Sequence, residues 1–412
     1  MEFRQTTLNN GLEIVAEVNP NAHSLALAFF VKTGARDETP EIAGVSHFLE
    51  HMVFKGTPRR SAEDVNRQLD EMGSQANAFT SEEQTVYYAV VLPEQQQNVV
   101  DLLADIMRPS LRVEDFETEK QVILEEIMKY DDQPPFGGHE KCMAAFFGDH
   151  PLGNSVLGTI DTVKALTAAQ MMEYFKGRYS PHNIALVASG NVDWDALVKQ
   201  AEECCGNWER FETSRDLSVG PAHQEFKVIT KENATQQYLI QLAAAPAAAD
   251  EDRYAARLLS VILGDDCGSR LYWDLVDPGL SEFASTDSYE FQGTGIYMNY
   301  ICCGPDQAEQ NLAKLAEIVA ELEKDGVTQK ELDQSKNKVC SHVVLRSESP
   351  ASRLFSVGSS WIQRGSYRSV ADGVKAYRNV DLKEIHAVLE KYPISKCATL
   401  AIGPLDQLKS PY

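Results

Sequence analysis

Apolar residues along this chain recur with two periods, and the switches between them predict an ordered series of strands and helices. The runs 12–17 and 24–32 (Ser24-Leu25-Ala26-Leu27-Ala28-Phe29-Phe30-Val31-Lys32) are dense in apolar and aromatic residues and read as strands. After a loop from Gly34 to Pro40, the stretch Gly44–Met52 changes period. Val45, Phe48, Leu49 and Met52 recur at helical spacing, and Gly56 and Pro58 supply the stop signals. Ser61, with Asp64 in capping-box position, opens a further helix that runs to Gly73. Two strands at 74–80 and 85–92 follow, joined through Ser81-Glu82-Glu83. Helices at 94–107, 114–131, 138–147 and 167–178, a strand at 184–190 and a helix from Asp193 to Cys205 complete the first half.

The stretch 207–224 is polar and aperiodic and reads as a linker. Beyond it the series begins again: strands near 225–231 and 237–244, a helix from 250, strands near 283–290 and 296–303, several helices, and a last strand at 398–402. Single residues follow the repeat. Asp37 and Glu38 precede the first half's apolar helix as Asp250 and Glu251 precede its counterpart. The same shift carries Tyr179 to Tyr392, Gly190 to Gly403 and Asp193 to Asp406. The expectation is an α+β protein of two homologous domains, 1–212 and 225–412, joined by 213–224, each a mostly antiparallel sheet with helices packed against it.

The helix at 44–52 carries more than apolar residues. His47, Glu50 and His51 lie at i, i+3 and i+4 and share one face. Two imidazoles one turn apart can clamp a zinc ion, with a carboxylate beside the water that zinc would bind. His-x-x-Glu-His is the inverzincin order of the zinc-protease helix. Such a site needs a third protein ligand, and the helix 114–131 offers Glu119 and Glu126, seven residues apart on one face; Glu125 points elsewhere. The repeat shift takes His47, Glu50, His51 and Glu126 to Ser260, Leu263, Gly264 and Val339, none of them a ligand. One metal site per chain is expected, in the first half.

Composition narrows the partners. With 61 acidic against 38 basic residues and a formal charge of −23, the chain is a poor match for nucleic acid. No run of eighteen apolar residues suggests a membrane span, and the start shows neither a basic n-region nor an apolar h-region, which points to a cytoplasmic protein. The eight cysteines include two adjacent pairs and no C-x-x-C, so reduced, mostly buried thiols are expected.

Taken together the motifs resemble the M16 metallopeptidases, in particular the short-chain class that includes mitochondrial processing peptidase and its bacterial relatives. The likeness runs from Thr33-Gly34-Ala35-Arg36-Asp37-Glu38 through the His47–His51 helix and Phe54-Lys55-Gly56-Thr57 to Asn77-Ala78-Phe79-Thr80. It continues in His150-Pro151-Leu152-Gly153, Leu157-Gly158-Thr159, Ile262-Leu263-Gly264 and Ser269-Arg270-Leu271. The resemblance implies the LuxS/M16-like metallohydrolase fold and a zinc endopeptidase acting on unfolded peptides or presequences. Zinc would be held by His47, His51 and Glu126, with Glu50 as base and Glu119 supporting the site from behind. Asn77, Ala78 and Phe79 would form the edge that pairs with an extended peptide. It also implies a dimer, whether a homodimer or a heterodimer with an M16-like subunit. Many members carry an Arg and a Tyr, seven residues apart, in the second half; this chain has Leu275 and Glu282 there. That departure keeps open an accessory subunit of a larger complex as the alternative role.

Overall fold

The computed structural model of the protein describes residues 1–411, and the chain folds as two compact units. Met1–Lys129, Asn154–Asp216 and Arg346–Arg368 make the first; Tyr130–Gly153, Leu217–Leu345 and the C-terminal segment from Ser369 make the second.

Over the described residues the first unit has a six-stranded sheet: β1 (Glu2–Thr7), β2 (Glu13–Val18), β3 (Leu25–Val31), β4 (Gln75–Thr80), β5 (Thr85–Val91) and β6 (Ile184–Gly190), in the order β1-β2-β6-β3-β5-β4. Only β2 and β6 run parallel. β3 is buried along its whole length, so both its faces are covered. Leu25, Leu27, Phe29 and Val31 face one layer, with α1 (Val45–Val53), α2 (Ala62–Glu71), α3 (Gln96–Ile106) and the long α4 (Val113–Asp132). Ala26, Ala28 and Phe30 face the other way, onto Leu354, Val357 and Ile362 of the helix Pro350–Arg364. Arg353 of that helix forms a buried ion pair with Glu17 of β2. The first unit thus covers one face of its sheet with a helix from the far end of the sequence.

The second unit does the reverse. Its strands are β7 (Phe226–Thr230), β8 (Gln237–Ala245), β9 (Phe283–Glu290), β10 (Gly295–Cys303) and β11 (Cys397–Gly403), ordered β7-β11-β8-β10-β9. One face packs on the helix Arg253–Leu263 and later helices. The other packs on α5 (Gly138–Phe147), which comes from the first half of the sequence and contributes Cys142, Met143, Phe146 and Phe147. The units therefore do not divide at one point in the chain.

The two strand orders match position for position: β2-β6-β3-β5-β4 against β7-β11-β8-β10-β9, each with one parallel pair at the same place. This is the α+β fold of two similar, mostly antiparallel sheets with packed helices. Residues matched by the repeat also behave alike. Asp37 pairs with Arg178 at 2.7 Å, and Asp250 pairs with Lys391, the residue that the repeat sets against Arg178, at 3.2 Å. Gly190 and Gly403 end equivalent strands with φ of 104° and 157°. The linker is tied down within each unit: Arg215 donates to Asp37 in the first, and His150 Nε2 donates to the Ser218 carbonyl in the second. Among the described residues no helix is long and apolar enough to cross a membrane.

Candidate metal centre

The centre is built on α1. Val45, Phe48, Leu49 and Met52 are buried in the first unit's core, and the Phe48 ring stacks on Phe116 of α4 at 4.6 Å. The helix begins at Gly44, which has φ of 93° and lies so close to the Leu157 carbonyl that a Cβ would stand 2.6 Å from it; only glycine fits. Its first amides are answered by a buried carboxylate: the Gly44 and Ser46 N–H groups each donate to Glu38 at 2.7 Å. A carboxylate at a helix N-terminus meets both the free N–H groups and the positive end of the helix dipole. Burial nonetheless pushes the Glu38 carboxyl up to about 8, against the pull of those two amides.

This anchoring leaves His47, Glu50 and His51 on the face opposite the core contacts of α1. Across from them, α4 presents Glu126. Glu126 Oε2 is 3.8 Å from His47 Nε2 and 3.7 Å from His51 Nε2, and one ligand atom from each of the three residues falls within a 4.8 Å group. Those separations exceed a hydrogen bond. They approach the spacing of about 3.3–3.6 Å between donors that lie 2.0–2.2 Å from one tetrahedral ion. Two imidazoles and a carboxylate brought together in this way are a zinc-type donor set. Burial, reinforced by His51, holds the His47 imidazole down at about 3, so it is unprotonated and free to donate a lone pair at neutral pH.

The surrounding groups orient this set. Glu119, one face with Glu126 on α4, accepts from His51 Nδ1 at 2.9 Å. Since the carboxylate can only accept, Nδ1 carries a proton, and Nε2 is the ring atom that faces Glu126. Burial works against the Glu119 carboxylate, but its bonds to Lys55 and His51 outweigh this and hold its pKa below the ordinary value. Glu50 is pushed above the ordinary carboxylate range by burial, opposed by a hydrogen bond from Thr80 and by His51. Thr80 Oγ1 donates to Glu50 Oε2 at 2.5 Å, and Oε1 accepts no hydrogen bond from the described residues.

The predicted residues fall into two groups. His47, Glu50, His51, Glu119 and Glu126 come together. Asn77, Ala78 and Phe79 lie on β4, the edge strand, and alternate in direction. Asn77 is exposed and Ala78 lies against the core that contains α1, while Phe79 packs its ring against Phe355 on the other face of the sheet. Sequence reasoning assigned no role to Lys55 or Glu38 and none to the Thr80 side chain, though all three stand in the motifs quoted above. Period-2 counting from Ala78 places Thr80 on the α1 face, and that signal was available in the sequence. Among the described residues, no further group of three or more His, Cys, Asp or Glu side chains is arranged to hold a metal.

Comparison with known proteins extends the likeness over the whole chain. Residues 13–160 match the family described as insulinase (peptidase family M16), and residues 165–339 match the one described as peptidase M16 inactive domain. An uncharacterized zinc protease of Mycobacterium tuberculosis is 32% identical over 99% of this chain and 94% of its own length. Another, YmxG of Bacillus subtilis, is 32% identical over 99% of this chain and 100% of its own length. A protease structure from Helicobacter pylori superposes with a TM-score of 0.89 at 21% identity, covering 98% of this chain and 99% of the other. A Pseudomonas fluorescens structure described as a peptidase M16 inactive domain reaches 0.92 at 17% identity, covering 99% of each chain. With profile matches in both halves and full-length relatives named as zinc proteases, the chain belongs to peptidase family M16.

Proposed function

We propose that the protein is an endopeptidase that hydrolyses unfolded peptides or presequences, with one zinc ion per chain held by His47, His51 and Glu126. The observation that carries this reading is the convergence of two imidazole Nε2 atoms on a single Glu126 oxygen at 3.7–3.8 Å. Zinc bound there would polarise a scissile carbonyl and acidify water to a pKa of about 7. Glu50 is the base. Thr80 holds its Oε2, which leaves Oε1 to take the proton from water and return it to the leaving amine. Burial raises its pKa, which makes the carboxylate a stronger acceptor for that proton. Glu119 keeps His51 in the ligating tautomer.

Peptide would dock as an added strand on the open edge of β4, where main-chain hydrogen bonds tolerate varied side chains. Asn77 and Ala78 offer that edge; Phe79 contributes backbone only, because its ring is engaged with Phe355. At the places where related enzymes carry an Arg and a Tyr, Leu275 is buried in the second unit's core and Glu282 is an exposed carboxylate that accepts from Gln236. We therefore read the working form as a dimer, either of this chain or with an M16-like subunit that brings the pair.

The test is cleavage of a quenched-fluorescent peptide library by the purified chain, beside Glu50→Gln and a chelated sample. Cleavage lost in both controls supports a self-sufficient zinc peptidase. Bound zinc without cleavage, with activity appearing only when an M16-like subunit is added, supports the heterodimer. Zinc without cleavage under either condition would favour the accessory role.

A further inference from the structure

Lys55 lies one helical turn beyond His51, just past the end of α1, and joins three groups. Its Nζ is 2.5 Å from Glu119 Oε2, while the other oxygen of that carboxylate accepts from His51 Nδ1. Its carbonyl accepts from Arg112 Nη2 at 2.8 Å, and Arg112, at the start of α4, is itself held by Asp115 at 2.6 Å. The next residue repeats the tie, with the Ser110 N–H donating to the Gly56 carbonyl at 3.0 Å. Lys55 thus sits at the junction of α1 and α4, the helices that carry His47, His51 and Glu126.

The Glu119 side chain is only 6% exposed, whereas that of Lys55 is 37% exposed and reaches inward to it. A carboxylate buried to that degree needs partners for both oxygens, and an unanswered one costs more than the bond it lost. Without the ammonium, Oε2 has no other donor among the described residues, and the carboxylate is free to turn off His51. Among the described residues His47 has no equivalent carboxylate behind it, and its buried Nδ1 finds no hydrogen-bond partner among them. The orientation of the ligating pair therefore depends on the His51 side of the site.

We infer that Lys55 is a positioning residue for the metal centre. By fixing both oxygens of Glu119 it sets the His51 ring, and by its carbonyl it sets the approach of α4, so zinc affinity depends on a lysine that touches no ligand atom. This rests on the reading of His47, His51 and Glu126 as zinc ligands. The competing view is an ordinary exposed ion pair, which contributes about 0–1 kcal/mol to folding and nothing specific to metal.

The experiment measures zinc dissociation constants on the full chain by competition with a chromogenic chelator, for wild type, Lys55→Met, Lys55→Arg, Glu119→Gln and the Lys55→Met/Glu119→Gln double variant. Thermal unfolding of the metal-free proteins runs alongside. Lys55→Met is expected to weaken zinc binding about 10-fold, the low end of what a group behind a ligand contributes. Lys55→Arg, which keeps charge and donors, regains most of that loss. In the Glu119→Gln background Lys55→Met adds little, because the two act as one unit. Wild-type affinity in Lys55→Met, or an undiminished loss in the double variant, overturns the inference. If Lys55→Met fails to fold, the Lys55→Arg affinity and Lys55→Gln decide in its place. A wild-type chain that binds no zinc overturns the ligand reading as well; one that binds zinc but cleaves nothing leaves this inference standing.

Discussion

Two helices stand at the same place in two sheets of the same order and are put to opposite use. In the first unit α1 turns His47 and His51 toward Glu126 of α4, and Thr80 of β4 meets Glu50 through its hydroxyl. In the second unit the counterpart Arg253–Leu263 is buried over nearly all its length. Gly264, which the repeat places at His51, is pressed against β9: its carbonyl accepts from the Thr286 N–H at 2.8 Å, and a Cβ there would stand 2.4 Å from that nitrogen. The matching positions Ser260, Leu263, Gly264 and Val339 offer none of the His and Glu side chains of the first unit, and at Gly264 backbone fills the place of a side chain. A repeated scaffold does not preserve a site; the space between helix and edge strand does.

Substitutions at paired positions can break that comparison. The largest contrast is expected between Glu126→Ala and Val339→Ala. The first should cost zinc affinity by more than the roughly 10–100-fold that groups behind a ligand are worth, and abolish peptide cleavage with it. The second leaves zinc untouched and costs about 1–3 kcal/mol of packing. Zinc content by metal analysis and urea unfolding separate them, and zinc retained in Glu126→Ala would remove that residue from the ligand set.

Next comes an attempt to place an imidazole at Gly264. Gly264→His should destabilise the protein by roughly 3 kcal/mol or more, since backbone rather than a side chain blocks the Cβ. A stable variant in denaturant melts would show that the backbone there gives way. A smaller difference is expected at the strand ends. Gly190→Ala combines φ of 104° with a Cβ 2.3 Å from the Ser24 carbonyl, for a cost of roughly 3 kcal/mol. At Gly403 a Cβ would stand 2.5 Å from the Gln237 side-chain oxygen and 2.7 Å from the Gln236 carbonyl, so backbone blocks it there too and Gly403→Ala should cost roughly 2–3 kcal/mol. A loss at Gly403 far below that at Gly190 would mean that the Gln236 carbonyl gives way.

The last contrast concerns pH. Glu38 is buried, with its pKa raised from 4.5 to about 8, so the folded state holds a proton that the unfolded chain has released. Its contribution is complete below pH 4.5 and is lost as pH rises through about 8. Glu38→Gln should therefore flatten the fall in metal-free stability across that window. An identical slope in wild type and Glu38→Gln would rule Glu38 out as its source.

Much of this was readable from residue order. The helical spacing of Val45, Phe48, Leu49 and Met52 fixed which way His47, Glu50 and His51 would face, because an apolar stripe dictates its own opposite side. The Ser61 and Asp64 capping box forms as the spacing predicts. The shift that pairs Asp37 with Asp250 pointed to sheets of one order. What the pattern could not disclose is which sheet a helix covers. The apolar faces of Gly138–Phe147 and Pro350–Arg364 predict burial, yet each packs on the sheet of the other half of the sequence, a choice made by tertiary fit. Phe79 illustrates the same limit at one residue: its place in a peptide-pairing motif said nothing of Phe355. Lys55 read as part of a motif, and only its approach to Glu119 gives it work.

The crossing of Pro350–Arg364 into the first unit also sets an order of events in biosynthesis. All six strands of that sheet have been made once Gly190 is joined, but the helix that covers Val15, Phe30 and Val187 comes last. At about 5–20 residues per second, roughly 170 residues and some 10–35 s separate the two. Through that interval the nascent chain carries an uncovered apolar sheet face, so the peptidase half cannot finish folding before nearly the whole polypeptide exists. A ribosome stalled in the second half would release a chain with His47, His51 and Glu126 all made and a bare hydrophobic surface, a substrate for chaperones and proteases.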